Sequence, residues 1–183
     1  MATIEEITTL LTHLSSQSLE QILALAESLK EKESRSMAWS FDFLNNFNET
    51  TKTGMEIKVA EAVCAGVARA ALWEHPPMTG AASVGYLVPV PTGLRQLKLR
   101  FAIGIRDGAE LPSDRYVAFR IIVNGWKLWS TVKNSHAWEE HEVKMPQLSS
   151  DVARIEFITD GLGDNRWNWA VWGEPRLGGD TSA

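Results

Sequence analysis

Cysteine is almost missing from this chain: Cys64 is the only one in 183 residues. Without a second thiol there is no internal disulfide and no thiolate metal cluster. Long apolar runs are missing as well. The uninterrupted apolar stretches fall far short of the roughly 20 residues that a membrane-crossing helix needs, so no membrane span is expected. The opening Met-Ala-Thr-Ile-Glu-Glu has no basic region followed by an apolar run, so it does not read as a signal peptide. The expectation is a cytoplasmic protein.

Concentrated positive charge is absent too. The net charge is −5, and residues 1–33 hold six acids and two lysines. Neither part of the chain has the basic stripe that a phosphate backbone attracts, which sets nucleic acid aside as a partner. Catalytic signatures are also missing. There is no Gly-x-Ser-x-Gly elbow, no phosphate-binding loop and no dinucleotide fingerprint. The four histidines lack the i, i+4 pairing of a zinc helix. Cys64 sits inside an apparent strand, which suits an inert buried thiol better than a nucleophile. A carboxylate pair for glycoside hydrolysis is set by folding and not by spacing. A non-enzyme is the expectation, with no cofactor. Asp107, Asp160 and Asp164 leave room for a structural Ca²⁺ shared with backbone carbonyls.

Tryptophan, by contrast, is plentiful: eight residues. Its flat apolar body and single N–H donor serve either a core or a binding surface. Hydrophobic residues make up 44% of the chain, enough for a real core.

Periodicity divides the chain. Residues 3–33 read as helical. Thr3 with Glu6 fits a capping box, and Ile4, Ile7, Leu10, Leu11 and Leu14 share one face. Ser15, Ser16 and Ser18 interrupt the pattern. Ser18 with Gln21 fits a second cap before Leu19, Ile22, Leu23, Ala26 and Leu29. The apolar stripe needs covering, either by the rest of the chain or by a protein partner or second copy through residues 3–33.

Beyond a charged linker the period becomes 2. Leu97, Leu99, Phe101, Ile103 and Ile105 alternate with small or polar residues, as do Val84 to Val90 and Val117 to Val123. Weaker strands are expected over 37–44, 55–59, 63–73, 126–131, 137–145, 153–159 and 167–177. The expected fold is mainly β: an antiparallel β-sandwich over 37–178, with a helical segment and linker over 1–36 and a flexible tail over 179–183.

Asn124-Gly125 is a two-residue turn signal. A regular hairpin would set Val123 opposite Trp126, Ile121 opposite Leu128 and Phe119 opposite Ser130. Arg120 and Trp129 would then face each other on the less buried side, as a cation–π pair or as a platform for a ring-shaped ligand.

Strand alternation sorts the loops between the two ends of the sandwich. One end receives 91–95, 124–125 and 146–152. The other receives the longer 74–82, 106–115, 132–136 and 160–166. From the second end we select Trp73, His75, Arg106, Asp107, Trp138, Asp164, Asn165 and Trp167 as candidate ligand-binding residues. Aromatic faces suit the apolar side of a sugar ring, while carboxylates, amides and arginine bond its hydroxyls. A carbohydrate or another polar ligand is the expected partner.

Four segments carry a resemblance. They are Ala71-Leu72-Trp73-Glu74-His75-Pro76-Pro77, then Phe101-Ala102-Ile103-Gly104-Ile105-Arg106-Asp107-Gly108-Ala109, then Phe119-Arg120-Ile121-Ile122-Val123-Asn124-Gly125, and Trp169-Ala170-Val171-Trp172-Gly173-Glu174-Pro175-Arg176-Leu177. In this order the chain resembles the galactose-binding-like jelly-roll superfamily, in particular the novel putative carbohydrate-binding modules. The resemblance implies a β-sandwich attached to, or derived from, carbohydrate recognition. The intracellular alternative is a scaffold protein that docks or self-associates through its N-terminal helices.

Overall fold

The computed structural model describes residues 4–35, 39–164 and 166–181. Within it the chain divides into two units at Ala38/Trp39. The first unit holds α1 (Ile4–Thr12) and α2 (Ser16–Arg35). Tight bonds from the His13 N–H to Leu10 O and from the Leu14 N–H to Leu11 O close α1. The cap of α2 is Ser15, whose hydroxyl accepts from the Ser18 N–H at 3.2 Å, one turn earlier than the Ser18–Gln21 pattern suggests. The proposed cap at Thr3 lies outside the described residues. Leu10, Leu23 and Leu25 are at least 60% exposed.

The second unit is a sandwich of two antiparallel sheets. Its strands are β1 (Trp39–Asp42), β2 (Thr51–Thr53), β3 (Glu56–Cys64), β4 (Val67–His75), β5 (Ala81–Pro89), β6 (Leu94–Ile105), β7 (Val117–Val123), β8 (Trp126–Lys133), β9 (Glu139–Lys144), β10 (Val152–Asp160) and β11 (Ala170–Thr181). One sheet runs β3-β4-β11-β6-β9, with β1 also on β11; the other runs β2-β5-β10-β7-β8. β4 pairs only with Val171–Gly173 of β11, and β1 takes the same edge from Arg176 to Gly179. The 63–73 run is therefore not one strand. Ala65 and Gly66, both at positive φ, turn it into a β3–β4 hairpin. The C-terminal residues also differ from expectation. Gly179 pairs with Trp39 and Asp180 with Arg95, so β11 continues to Thr181 where a tail was expected.

Alternation buries Leu99, Phe101, Ile103 and Ile105 of β6 against Val117, Phe119 and Ile121 of β7 and Ile155 and Phe157 of β10. Trp172 of β11 is completely buried at the centre, ringed edge-on by Phe101, Phe119, Phe157 and Trp129. Such pairs add about 0.5–1.5 kcal/mol each beyond area burial.

The Asn124-Gly125 turn is as expected, with φ of 50° and 83°, but the register beyond it is not. Ile122 pairs with Lys127 and Ile121 with Trp129, leaving Leu128 as the extra residue of a β-bulge. The bulge turns Trp129 onto the core face, where it meets Phe101 and His141. Arg120 instead lies opposite Ser130 and pairs with Asp160 at 3.0 Å. The outward Arg120–Trp129 pair is therefore corrected: a regular hairpin would have placed Ser130 opposite Phe119 and left a large aromatic ring outside.

Candidate site at the long-loop end

The loops 76–80, 106–116, 134–138 and 161–169 share one end of the sandwich, and hydrogen bonds tie the last three together. The Arg106 N–H donates to Trp169 O at 3.0 Å, and Arg115 Nη1 to Arg166 O at 3.1 Å. The Asn134 side-chain amide donates to the carbonyls of Pro112 and Arg115. Backbone groups that would otherwise be left without partners in irregular chain are satisfied here.

Glu74 belongs to the core and not to a loop tip. β4 extends to His75, and Glu74 is fully buried, with Thr159 Oγ1 bonded to its carbonyl. One residue either side of it, Trp73 and His75 point the other way, half-buried on the outer face.

Trp73 is flanked by cations. Lys58, its cross-strand partner on β3, holds Nζ 4.1 Å from the ring centroid. Arg106, just past the end of β6, holds its guanidinium carbon 3.3 Å from the Trp73 centroid and 5.0 Å from that of Trp169. Trp169 in turn lies 5.6 Å from Trp167, centroid to centroid. Burial lowers the Arg106 guanidinium from its ordinary value, and the nearby Glu56 acts against that only through space. His75 Nδ1 lies 3.0 Å from the carbonyl of Asn168, which can only accept. Nδ1 therefore carries a proton, and in the neutral ring Nε2 is left as an acceptor. Trp73, His75, Arg106 and Trp167 are thus brought together, joined by Trp169, Asn168 and Lys58, which sequence reasoning did not select.

Asp107 and Trp138 do something else. The two carboxylate oxygens of Asp107 accept from the backbone N–H groups of Ala65 (2.7 Å) and Gly66 (2.9 Å), at the tip of the β3–β4 hairpin. These bonds, that to Gly66 first, hold the carboxyl below its usual range. Trp138 donates Nε1–H to Val67 O at 2.9 Å and lies across Gly104 and Gly173, where a Cβ would come within about 3 Å of its ring. With Cys64, Ala62, Ala71 and Val171 it forms a small second core under the hairpin tip. Burial pushes the Cys64 thiol up to about 12, as an inert thiol requires.

Asp164 lies between two arginines, 2.7 Å from Arg166 Nη2 and 2.9 Å from Arg115 Nη2. The Arg166 side chain, then its backbone N–H, hold the carboxyl well below the usual range. Asp164, Arg115, Tyr116 and Leu162 line a cavity of about 240 Å³. Asn165 lies outside the described residues. Asp107, Asp160 and Asp164 are each engaged separately, and among the described residues no three His, Cys, Asp or Glu side chains gather as a metal site.

A cavity of about 570 Å³ opens at the opposite end, between 90–97 and 144–151. Met145, Leu148, Leu94 and two prolines line it, without an aromatic ring. Trp126, beside the Asn124-Gly125 turn at that end, is exposed but does not line it.

No family model and no curated protein matches the chain. Solved structures do. A module of Clostridium perfringens GH95, the CBM51 in complex with methyl-galactose, aligns with a TM-score of 0.52 at 9% identity, covering 76% of this chain and 99% of that one. The CBM51-2 and INT domains of Clostridium perfringens ZmpB, in complex with GlcNAc, align at 0.54 and 12% identity. They cover 78% of this chain, which spans about a third (32%) of that structure. The fold is a two-sheet antiparallel β-sandwich like that of these two structures. The expected antiparallel β-sandwich preceded by a helical segment agrees with it.

Proposed function

We infer that this chain is a non-catalytic carbohydrate-binding module that takes its ligand at the long-loop end. The observation that carries this reading is the aromatic wall of Trp73, Trp169 and Trp167 around Arg106, set on the convergent loops. The Trp167 and Trp169 faces not taken by Arg106 meet the apolar side of a pyranose, and the Arg106 and His75 side chains supply hydrogen bonds to its hydroxyls. Support also comes from the structural neighbours, whose structures hold methyl-galactose and GlcNAc. The test is a glycan-array screen of the full chain, followed by titration of Trp73→Ala and Trp169→Ala with the best hit. Loss of binding with an unchanged circular dichroism spectrum is expected. Normal binding by both variants, with loss on substitutions around the 90–97 and 144–151 cavity, would move the site to the other end.

A second reading concerns the helical unit. The exposed Leu10, Leu23 and Leu25 favour self-association or docking of a protein partner through residues 3–33. Light scattering on the full chain and on residues 39–183 tests it: equal masses per chain at equal concentration would sink the self-association form.

A further inference from the structure

We propose that the Trp73–Arg106–Trp169 stack selects an anionic sugar, one bearing a carboxylate or sulfate group, over its neutral counterpart. This rests on the carbohydrate-binding reading above and names the substrate class.

Arg106 is half-buried, and its guanidinium is stacked against the indole of Trp73 at 3.3 Å and that of Trp169 at 5.0 Å. Indole faces attract a cation, but they accept none of its five N–H bonds. Among the described residues no carboxylate or carbonyl accepts from it; the carboxylate that acts on it, Glu56, does so through space only. Glu56 is itself taken, at 2.5 Å, by Lys58. Arginines drawn out of water are normally paired, because an unpaired charge there is costly.

Nearby charges do not close the gap. Asp107, the next residue, spends both carboxylate oxygens on the hairpin tip. Asp164 is held by Arg166 and Arg115. The buried Nε1–H of Trp73 adds a donor with no acceptor among the described residues. The indoles take none of the Arg106 N–H bonds, so the N–H groups of the guanidinium are left to bond an incoming group. That planar fork matches the two oxygens of a carboxylate or sulfate, whereas a neutral hydroxyl uses one bond and returns no charge.

The experiment is isothermal titration of the full chain with three probes: trigalacturonate, a neutral galactotriose and a sulfated galactotriose, each at 50 and 300 mM NaCl. We expect at least one of the two anionic probes to bind tenfold or more tighter than the neutral one, with that preference shrinking at high salt. Which anionic probe wins identifies the group. Arg106→Gln should abolish the preference, and Arg106→Lys should keep part of it, since the charge remains while the fork is lost. If Arg106→Gln fails to fold, the lysine variant and the salt dependence of the wild-type chain still decide. Equal binding of neutral and anionic probes, or a preference that survives Arg106→Gln, overturns the anionic selection and leaves the module reading standing. Failure of all three probes and of the glycan array overturns both.

Discussion

The indole Nε1–H of Trp172 donates to Oε2 of Glu74 at 2.6 Å, and both side chains are completely buried between the sheets. The other carboxylate oxygen has no partner among the described residues. Burial outweighs the Trp172 bond and pushes the Glu74 carboxyl well above its ordinary value of 4.5. The acid form is the one this core accommodates.

Glu74→Gln therefore separates from the wild-type chain as the pH rises. In the unfolded chain Glu74 ionises near its ordinary value, while the folded chain keeps the proton. Its favourable contribution is complete below that value and is lost as pH rises through the raised folded pKa, at no more than about 1.4 kcal/mol per pH unit. Glutamine keeps an acceptor for Trp172 and never ionises. Urea unfolding of both proteins between pH 5 and 8 should show the variant gaining on the wild type. The lowered carboxyls of Glu56, Asp107, Glu142 and Asp164 are common to both and drop out of the comparison. A difference that stays flat with pH would rule this out.

Gly125→Val should destabilise the sandwich by about 1–2 kcal/mol through backbone strain alone. Gly125 has φ of 83°, and a Cβ there would meet nothing within 4 Å, so no clash adds to the cost. Asn124→Gly is the companion. It tolerates φ of 50° but loses the acceptor Oδ1 that holds the Arg154 N–H at 2.8 Å. Both changes should lower the urea midpoint without changing the slope, and a Gly125→Val midpoint equal to wild type would contradict the turn geometry.

Those two turn residues were legible because Asn-Gly has only a few backbone uses. The strands around Phe101 and Phe119 were legible because their alternation is uninterrupted. The bulge at Leu128 was not, since it depends on Trp129 finding Phe101 and His141 on another sheet. Likewise the turn at Ala65-Gly66 was hidden within an apolar run. In the site, loop parity brought Trp73, His75, Arg106 and Trp167 to one end. Lys58 and Trp169 carry no such mark, since one sits within a strand and the other joins the site only through its contacts with Arg106 and Trp167. Asp107 looked like a binding carboxylate because its partners, two backbone N–H groups about 40 residues away, leave no mark in the sequence.

Gly104→Ala should be costly for a different reason. Its φ is ordinary, but a Cβ would lie 2.6 Å from Cys64 Sγ and 3.0 Å from the Trp138 ring. Overpacking of this kind costs about 1–3 kcal/mol. Adding Cys64→Ala removes the closer clash, so the double variant should recover part of the lost melting temperature. No recovery would mean that Trp138, and not the thiol, limits the approach of the hairpin.

Asp107→Ala should loosen the hairpin tip and leave ligand binding intact. The two N–H groups it caps, on Ala65 and Gly66, sit where the backbone turns through positive φ and cannot bond across the hairpin. A charged acceptor on such donors is stronger than a neutral one. Asp107→Asn keeps one acceptor oxygen and loses the charge, so its effect should fall between wild type and alanine. Hydrogen exchange read at residues 63–67 should rise in the order wild type, asparagine, alanine, with a matching fall in melting temperature. Affinity for whichever saccharide the full chain binds should stay within twofold. An alanine variant with wild-type exchange at the tip but lost affinity would return Asp107 to the binding site and leave the hairpin clamp without a role.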